Sequence, residues 1–123
     1  LVGNGILTNE RTIRDQPDLV RRFLRAFLRG LRDTLRNPKE AFEISKKYVE
    51  GLSGENEAAQ WEVLQATLPL WQAEVPGRSD PRAWEVMTQV LVRMGQLKEP
   101  GDIHAAYTNA FVEELWPLVE RGR

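Results

Sequence analysis

The sequence predicts a mostly α fold: a helical domain of five to seven helices with one short N-terminal strand. Three observations carry this. Apolar residues from Leu19 to Leu35 recur at three- and four-residue spacing, the period of one helical face. Helix-start chemistry recurs at Pro17-Asp18, Asn37-Pro38 and Asp80-Pro81. Only residues 1–8 read as a strand. At 123 residues the chain is long enough for one domain and too short for two, so 1–123 is read as a single domain with a hinge strand over 1–8 and helix over 9–123.

In the strand, Leu1, Val2, Ile6 and Leu7 are apolar, while Gly3 and Gly5 allow a bend or close backbone approach. A single strand has no partner within the chain. It must pair with something outside it, or with another copy. These residues read as mid-domain sequence, so the chain is expected to be a piece of a longer protein.

Thr8 or Asn9 caps a short helix ending near Gln16. Pro17 and Asp18 then open the main helix, because proline suits the first turn and an acid suits the positive end of the dipole. Its apolar stripe comprises Leu19, Val20, Phe23, Leu24, Phe27, Leu28, Leu31 and Leu35. Asn37 caps the next helix with Glu40 at the reciprocal position. That helix is expected to bury Ala41, Phe42, Ile44, Tyr48 and Val49 and to stop at Gly51. Another starts near Glu55 and carries Ala58, Trp61, Leu64, Ala66 and Leu68, with Pro69 kinking or ending it. Val75 to Ser79 is loop. Asp80-Pro81 opens a helix whose buried face is Trp84, Met87, Val90, Leu91 and Met94, and Gly95 is a left-handed stop. Asp102 and Thr108 cap two last helices, with Phe111, Val112, Leu115 and Trp116 on the apolar side.

Composition excludes several functions. A net charge of -1 argues against nucleic-acid binding, which normally requires a basic excess. There is no cysteine, hence no disulfide framework and no thiolate metal site. His104 is the only histidine and has no companion ligand, so no metal is expected. Glu113 and Glu114 are adjacent and point to different sides of a helix. Ser45, Ser53 and Ser79 have no base nearby and no nucleophile-elbow pattern. No enzyme and no cofactor are therefore expected.

Other features could bind something. Arg22, Arg25, Arg29, Arg32 and Arg36 form a ridge that reads as an anion-binding or docking surface, or as a solvated face with Asp18–Arg22, Asp33–Arg29 and Glu40–Arg36 ion pairs. Gly3-Asn4-Gly5 lacks the third glycine of a dinucleotide loop. Asn4 can offer a donor and an acceptor to a ligand, or satisfy neighbouring backbone in a bend. Among the four tryptophans, Trp61 and Trp84 lie on apolar stripes and read as core. Trp71, near a helix end, is better placed to stack on a planar heterocycle. Tyr107, beside Thr108 and Asn109, could line a pocket or serve as a polar-tipped core residue.

Five segments resemble, in order, the C-terminal part of ABC-importer solute-binding proteins of the thiamine-pyrimidine-precursor (NMT/THI-like) group. They are Gly3 to Thr8; Glu10 to Pro17 followed by Leu19-Val20-Arg21-Arg22-Phe23-Leu24-Arg25-Ala26; Asn37-Pro38-Lys39-Glu40-Ala41; Trp84 to Leu97; and Tyr107-Thr108-Asn109-Ala110-Phe111. The resemblance implies the C-terminal segment of a two-lobed α/β type II periplasmic-binding-protein fold, in which Gly3 to Thr8 is the strand returning through the hinge. It implies an extracytoplasmic protein, periplasmic or lipid-anchored, that closes on a small solute such as a pyrimidine thiamine precursor and presents it to an ABC permease. Asn4, Trp71 and Tyr107 are the residues expected to reach the solute, by position and chemistry rather than by motif. Alone, the chain is expected to self-associate through faces meant for the missing body. The alternative is a stand-alone helical protein–protein interaction module.

Overall fold

The computed structural model describes residues 3–122. These residues form seven α-helices and one 3-10 turn: α1 (Glu10–Asp15), α2 (Pro17–Arg36), α3 (Pro38–Ser45), the turn Gly54–Asn56, α4 (Glu57–Trp71), α5 (Pro81–Arg93), α6 (Ile103–Ala106) and α7 (Ala110–Glu120). The mostly α class and the helix number agree with the sequence reading.

The strand does not form among the described residues. Residues 3–8 are exposed and belong to no ladder, and Leu7 is 95% exposed. A strand is held by hydrogen bonds to a neighbour, and the described residues contain no second strand to supply them. Leu1 and Val2, part of the expected strand, lie outside the described residues.

Local chemistry sets the helix starts. Asn9 Oδ1 accepts from Thr12 N–H at 2.8 Å and opens α1. Gln16 closes α1, and Pro17 at the first position of α2 needs no intrahelical partner. Asn37 precedes Pro38, which keeps it out of the helical region (φ -140°, ψ 76°) and ends α2. Its Oδ1 then accepts from Glu40 N–H at 3.3 Å, while its amide donates to Glu40 Oε2 at 2.9 Å.

Helix α3 stops at Ser45, short of the expected Gly51. Lys47 and Tyr48 instead make tight bonds to Ile44 and Ser45, three residues back. Ile44, Tyr48 and Val49, expected to be buried, are 48%, 81% and 52% exposed. With nothing packed on that side, burial does not support further helical turns. Helix α4 runs only two residues past Pro69. Its Ala58 and Ala66 are exposed rather than core, and Trp61 is half-buried edge-on to Phe42 (ring centroids 5.4 Å apart).

Asp80 Oδ1 accepts from Arg82 N–H at 2.9 Å and opens α5. Gly95 takes φ 72° and closes it as expected, but Met94 is 67% exposed. Asp102 caps α6 through His104 N–H at 2.9 Å. At α7, Thr108 Oγ1 accepts from Ala110 N–H at 3.2 Å.

The core lies between α2 and α7. Leu28, Val112, Leu115, Trp116 and Val119 are buried together, with Leu24, Val75 and Phe111 packed against them. Each such side chain contributes about 1.5–3 kcal/mol by leaving water. Arginines of α2 clasp this pair. Arg21 Nε meets Glu114 Oε1 at 3.0 Å, and Arg21 Cζ lies 5.6 Å from the centre of the Phe111 ring. Arg32 Nη1 donates to Val119 O at 2.6 Å and Arg36 Nη2 to Glu120 O at 3.4 Å, which satisfies carbonyls at the negative end of α7. The expected ridge pairs are replaced accordingly. Asp18 pairs with Arg21, Asp33 with Arg32, and Glu40 with the Asn37 amide. Arg21 and Arg32 are already drawn toward α7, and Glu40 is engaged by the cap of α3.

Candidate functional site

Helix α7 is held at its start by a loop as well as by α2. Val75-Pro76-Gly77-Arg78 is a turn closed by Arg78 N–H to Val75 O at 3.2 Å. Proline precedes Gly77, whose φ of 85° is the conformation the third position of a type II turn demands. Pro76 is buried. Arg78 Nε reaches Glu113 Oε1 at 3.0 Å. One residue on, Ser79 N–H donates to Asn109 Oδ1 at 2.8 Å and Asn109 Nδ2 donates to Ser79 O at 2.9 Å. The Asn109 amide thus substitutes for a neighbouring backbone, satisfying both polar groups of Ser79.

Tyr107, two residues before Asn109, lies flat on Trp84 of α5, with centroids 5.1 Å apart and rings 12° from parallel. The segment Tyr107 to Asn109 therefore does three things in sequence. Tyr107 ties α5, Thr108 caps α7, and Asn109 holds the 75–79 loop. The indole N–H groups of Trp84 and Trp116 are buried without a hydrogen-bond partner.

The expected solute contacts are dispersed. Asn4 is exposed at a bend in the N-terminal lead. Trp71 is the last residue of α4 and is 40% exposed. Tyr107 is half-buried against Trp84. No hydrogen bond or aromatic contact among the described residues joins any two of the three. Two shallow hollows lie elsewhere. One of 220 Å³ is bordered by Arg32, Leu35, Arg36, Gln72, Pro76 and Trp116. Another of 430 Å³ is bordered by Lys39, Phe42, Glu43, Glu55, Glu57 and Trp61. Neither is lined by Asn4, Trp71 or Tyr107.

Two cations are perturbed. Hydrogen bonds to Glu114 and then Asp18 raise the pKa of Arg21. Hydrogen bonds to Glu43 and then Glu57 raise that of Lys46, whose ammonium also sits 5.3 Å from the centre of the Phe42 ring. Both are structural clasps at half-buried positions. Among the described residues no group of three or more His, Asp or Glu side chains could hold a metal, and none of the helices is long and apolar enough to cross a membrane.

Sequence reasoning missed Asn109, and it missed Arg32 and Arg36 as caps of α7. A signal for the first existed in Pro76-Gly77, a turn signature next to a buried proline. The Asn109 partner lies 30 residues away, which no local pattern reports.

Residues 1–41 match the family described as NMT1/THI5 like. This bears out the resemblance to NMT1/THI5-like binding proteins drawn from the sequence. At 40% identity over 117 residues, covering 91% of the chain, it is similar to the riboflavin-binding protein RibY of Chloroflexus aurantiacus. The chain spans a third of that curated relative, 33% of its length. No solved structure matches. The family and the relative are binding proteins rather than enzymes.

Proposed function

We propose that this chain is the C-terminal part of a solute-binding receptor that captures a planar heteroaromatic solute outside the cytoplasm and hands it to an ABC permease. The observation that carries the reading is the 40% identity over 117 residues to a riboflavin-binding protein. It makes a flavin the first solute to test, ahead of the pyrimidine thiamine precursors.

The chain's own part is scaffold and hinge. The α2–α7 core and the Asn109-held loop give a stiff base. Asn4 contributes an amide donor and acceptor, and Trp71 an exposed aromatic face. Tyr107 reaches the solute through its hydroxyl, since its ring is already stacked on Trp84. Closure of such a receptor is favoured by solute contacts made in the closed state.

The test is binding by the longer polypeptide that carries this chain. Riboflavin, its phosphorylated forms and a hydroxymethylpyrimidine are titrated, with flavin fluorescence and calorimetry as readouts. Saturable 1:1 binding of a flavin is expected. Binding of a pyrimidine alone would move the solute assignment, and failure of every planar heterocycle would sink the receptor reading.

A further inference from the structure

The acids that could neutralise the outer arginines of α2 are used elsewhere. Arg22, Arg29 and Arg36 each have a carboxylate four residues away, on Asp18, Asp33 and Glu40. Asp18 goes to Arg21 at 3.1 Å, Asp33 to Arg32 at 2.7 Å, and Glu40 to the Asn37 amide at 2.9 Å. On the helices packed beside α2, Glu114 goes to Arg21, Glu113 to Arg78, and Asp15 to Arg14. Arg22, Arg25 and Arg29 are left exposed and without an ion pair among the described residues. Arg36 is exposed too, and reaches only the Glu120 carbonyl at 3.4 Å.

These four cations form a line. At about 100° per residue they fall within an arc of about 60° on α2, and from Arg22 to Arg36 the helix rises about 21 Å. Asp18, at the helix start, is the one other residue of α2 in that arc, and no apolar side chain interrupts it. The helix carries six arginines and no lysine. Guanidinium forks match the oxygens of phosphate groups.

An acidic protein would also match this charge. Protein interfaces, however, are anchored by a buried aromatic or apolar centre, and the ridge has none. A face made of cations alone suits an anionic surface on which it can lie without insertion. The net charge of the chain is -1, so the attraction belongs to this face and not to the whole chain. We propose that Arg22, Arg25 and Arg29 rest on the phosphate headgroups of an anionic bilayer, as an electrostatic landing face separate from the solute contacts. The choice of a bilayer rests on the receptor reading, which puts the longer polypeptide beside a membrane permease.

Sedimentation of the longer polypeptide with vesicles tests this. Vesicles of phosphatidylcholine alone are compared with vesicles of phosphatidylcholine and phosphatidylglycerol in equal parts. Binding to the anionic vesicles alone is expected at low salt, with release at high salt. Arg22→Gln, Arg25→Gln and Arg29→Gln combined should lower partitioning on the order of 100-fold, about fivefold for each cation near the surface. Glutamine is a good helix former, so α2 is kept. Arg25→Gln alone, with a loss of about fivefold, keeps the test alive if the triple variant unfolds. Lys39→Gln, Lys47→Gln and Lys98→Gln combined remove the same charge elsewhere and should lower partitioning far less. Equal losses in the two triple variants would reduce the effect to net charge and overturn the proposal. So would partitioning indifferent to phosphatidylglycerol. Capture by poly-glutamate without binding to anionic vesicles would also overturn it, and would assign the ridge to an acidic protein. Riboflavin is titrated into the same samples. Solute binding without vesicle binding would remove the landing face and leave the receptor reading, and vesicle binding without solute binding would do the reverse.

Discussion

Asn109 and Ser79 exchange two hydrogen bonds, one at 2.8 Å through Oδ1 and one at 2.9 Å through Nδ2. This side-chain amide does the work of a missing strand neighbour. It fixes the 75–79 loop against the start of α7, and the loop in turn brings Pro76 and Val75 onto the core. Asn109→Ala leaves both polar groups of Ser79 unpaired in a half-buried place and is expected to cost about 1–3 kcal/mol. Asn109→Asp keeps the acceptor and loses the donor, so it should cost less. Urea denaturation of the two variants checks the order. Equal losses would mean that the retained acceptor contributes nothing.

Gly77 tests the turn itself. Its φ of 85° is a strained conformation for a side chain, while an added Cβ would lie 3.6 Å from Val112 Cγ2 and 3.7 Å from Leu28 Cδ2, ordinary contact distances. The cost of Gly77→Ala is therefore backbone strain, about 1–2 kcal/mol. Gly30→Ala is the control, a helical position with open space around it. It should stabilise the 123-residue chain by up to about 1 kcal/mol. Thermal unfolding of the pair distinguishes them, and the same sign for both would refute the assignment of strain to Gly77.

Much of this architecture is legible in the sequence because helix ends are set by neighbouring residues. Asn9, Asn37, Asp80, Asp102 and Gly95 act where local chemistry places them. Burial is less legible. Phe23 and Phe27 have the same spacing as Leu24 and Leu28, yet only the second pair packs in the core with α7, because apolar periodicity shows what can be buried and not what covers it. Ile44, Tyr48 and Met94 fail as core for the same reason. In the candidate site, the position of Trp71 at a helix end follows from Pro69. The stacking of Tyr107 on Trp84 and the role of Asn109 are long-range and leave no local trace.

Lys46 should give stability an alkaline dependence. Its ammonium donates to Glu43 at 2.8 Å and to Glu57, and its pKa is raised by those bonds. A raised pKa means that the folded state holds the proton more tightly than the unfolded state. The contribution is then complete below the unfolded lysine value, about 10.4, and is lost as pH rises through the higher folded value. The stability difference between the native chain and Lys46→Met should shrink above about pH 10. Urea midpoints of both proteins across that range measure it. A difference independent of pH would assign Lys46 to packing over the Phe42 ring instead of to its charge.

Trp71 and Tyr107 separate solute contact from scaffold. Trp71 ends α4 with 40% of its surface exposed, so its removal should cost less stability than that of a core side chain. If its ring stacks on the solute, Trp71→Ala lowers affinity by roughly 2- to 12-fold, the equivalent of ~0.5–1.5 kcal/mol, and Trp71→Phe restores most of it. Tyr107 should behave in the opposite way. Tyr107→Phe keeps the stack on Trp84 and with it the stability, and weakens solute binding only by the loss of the hydroxyl. Tyr107→Ala removes the stack and lowers both. Binding and unfolding measured together on the longer polypeptide resolve the two roles. A Trp71→Ala variant with unchanged affinity would remove Trp71 from the solute contacts, and an unchanged affinity in Tyr107→Phe would leave Tyr107 as the tie between α5 and α7 alone.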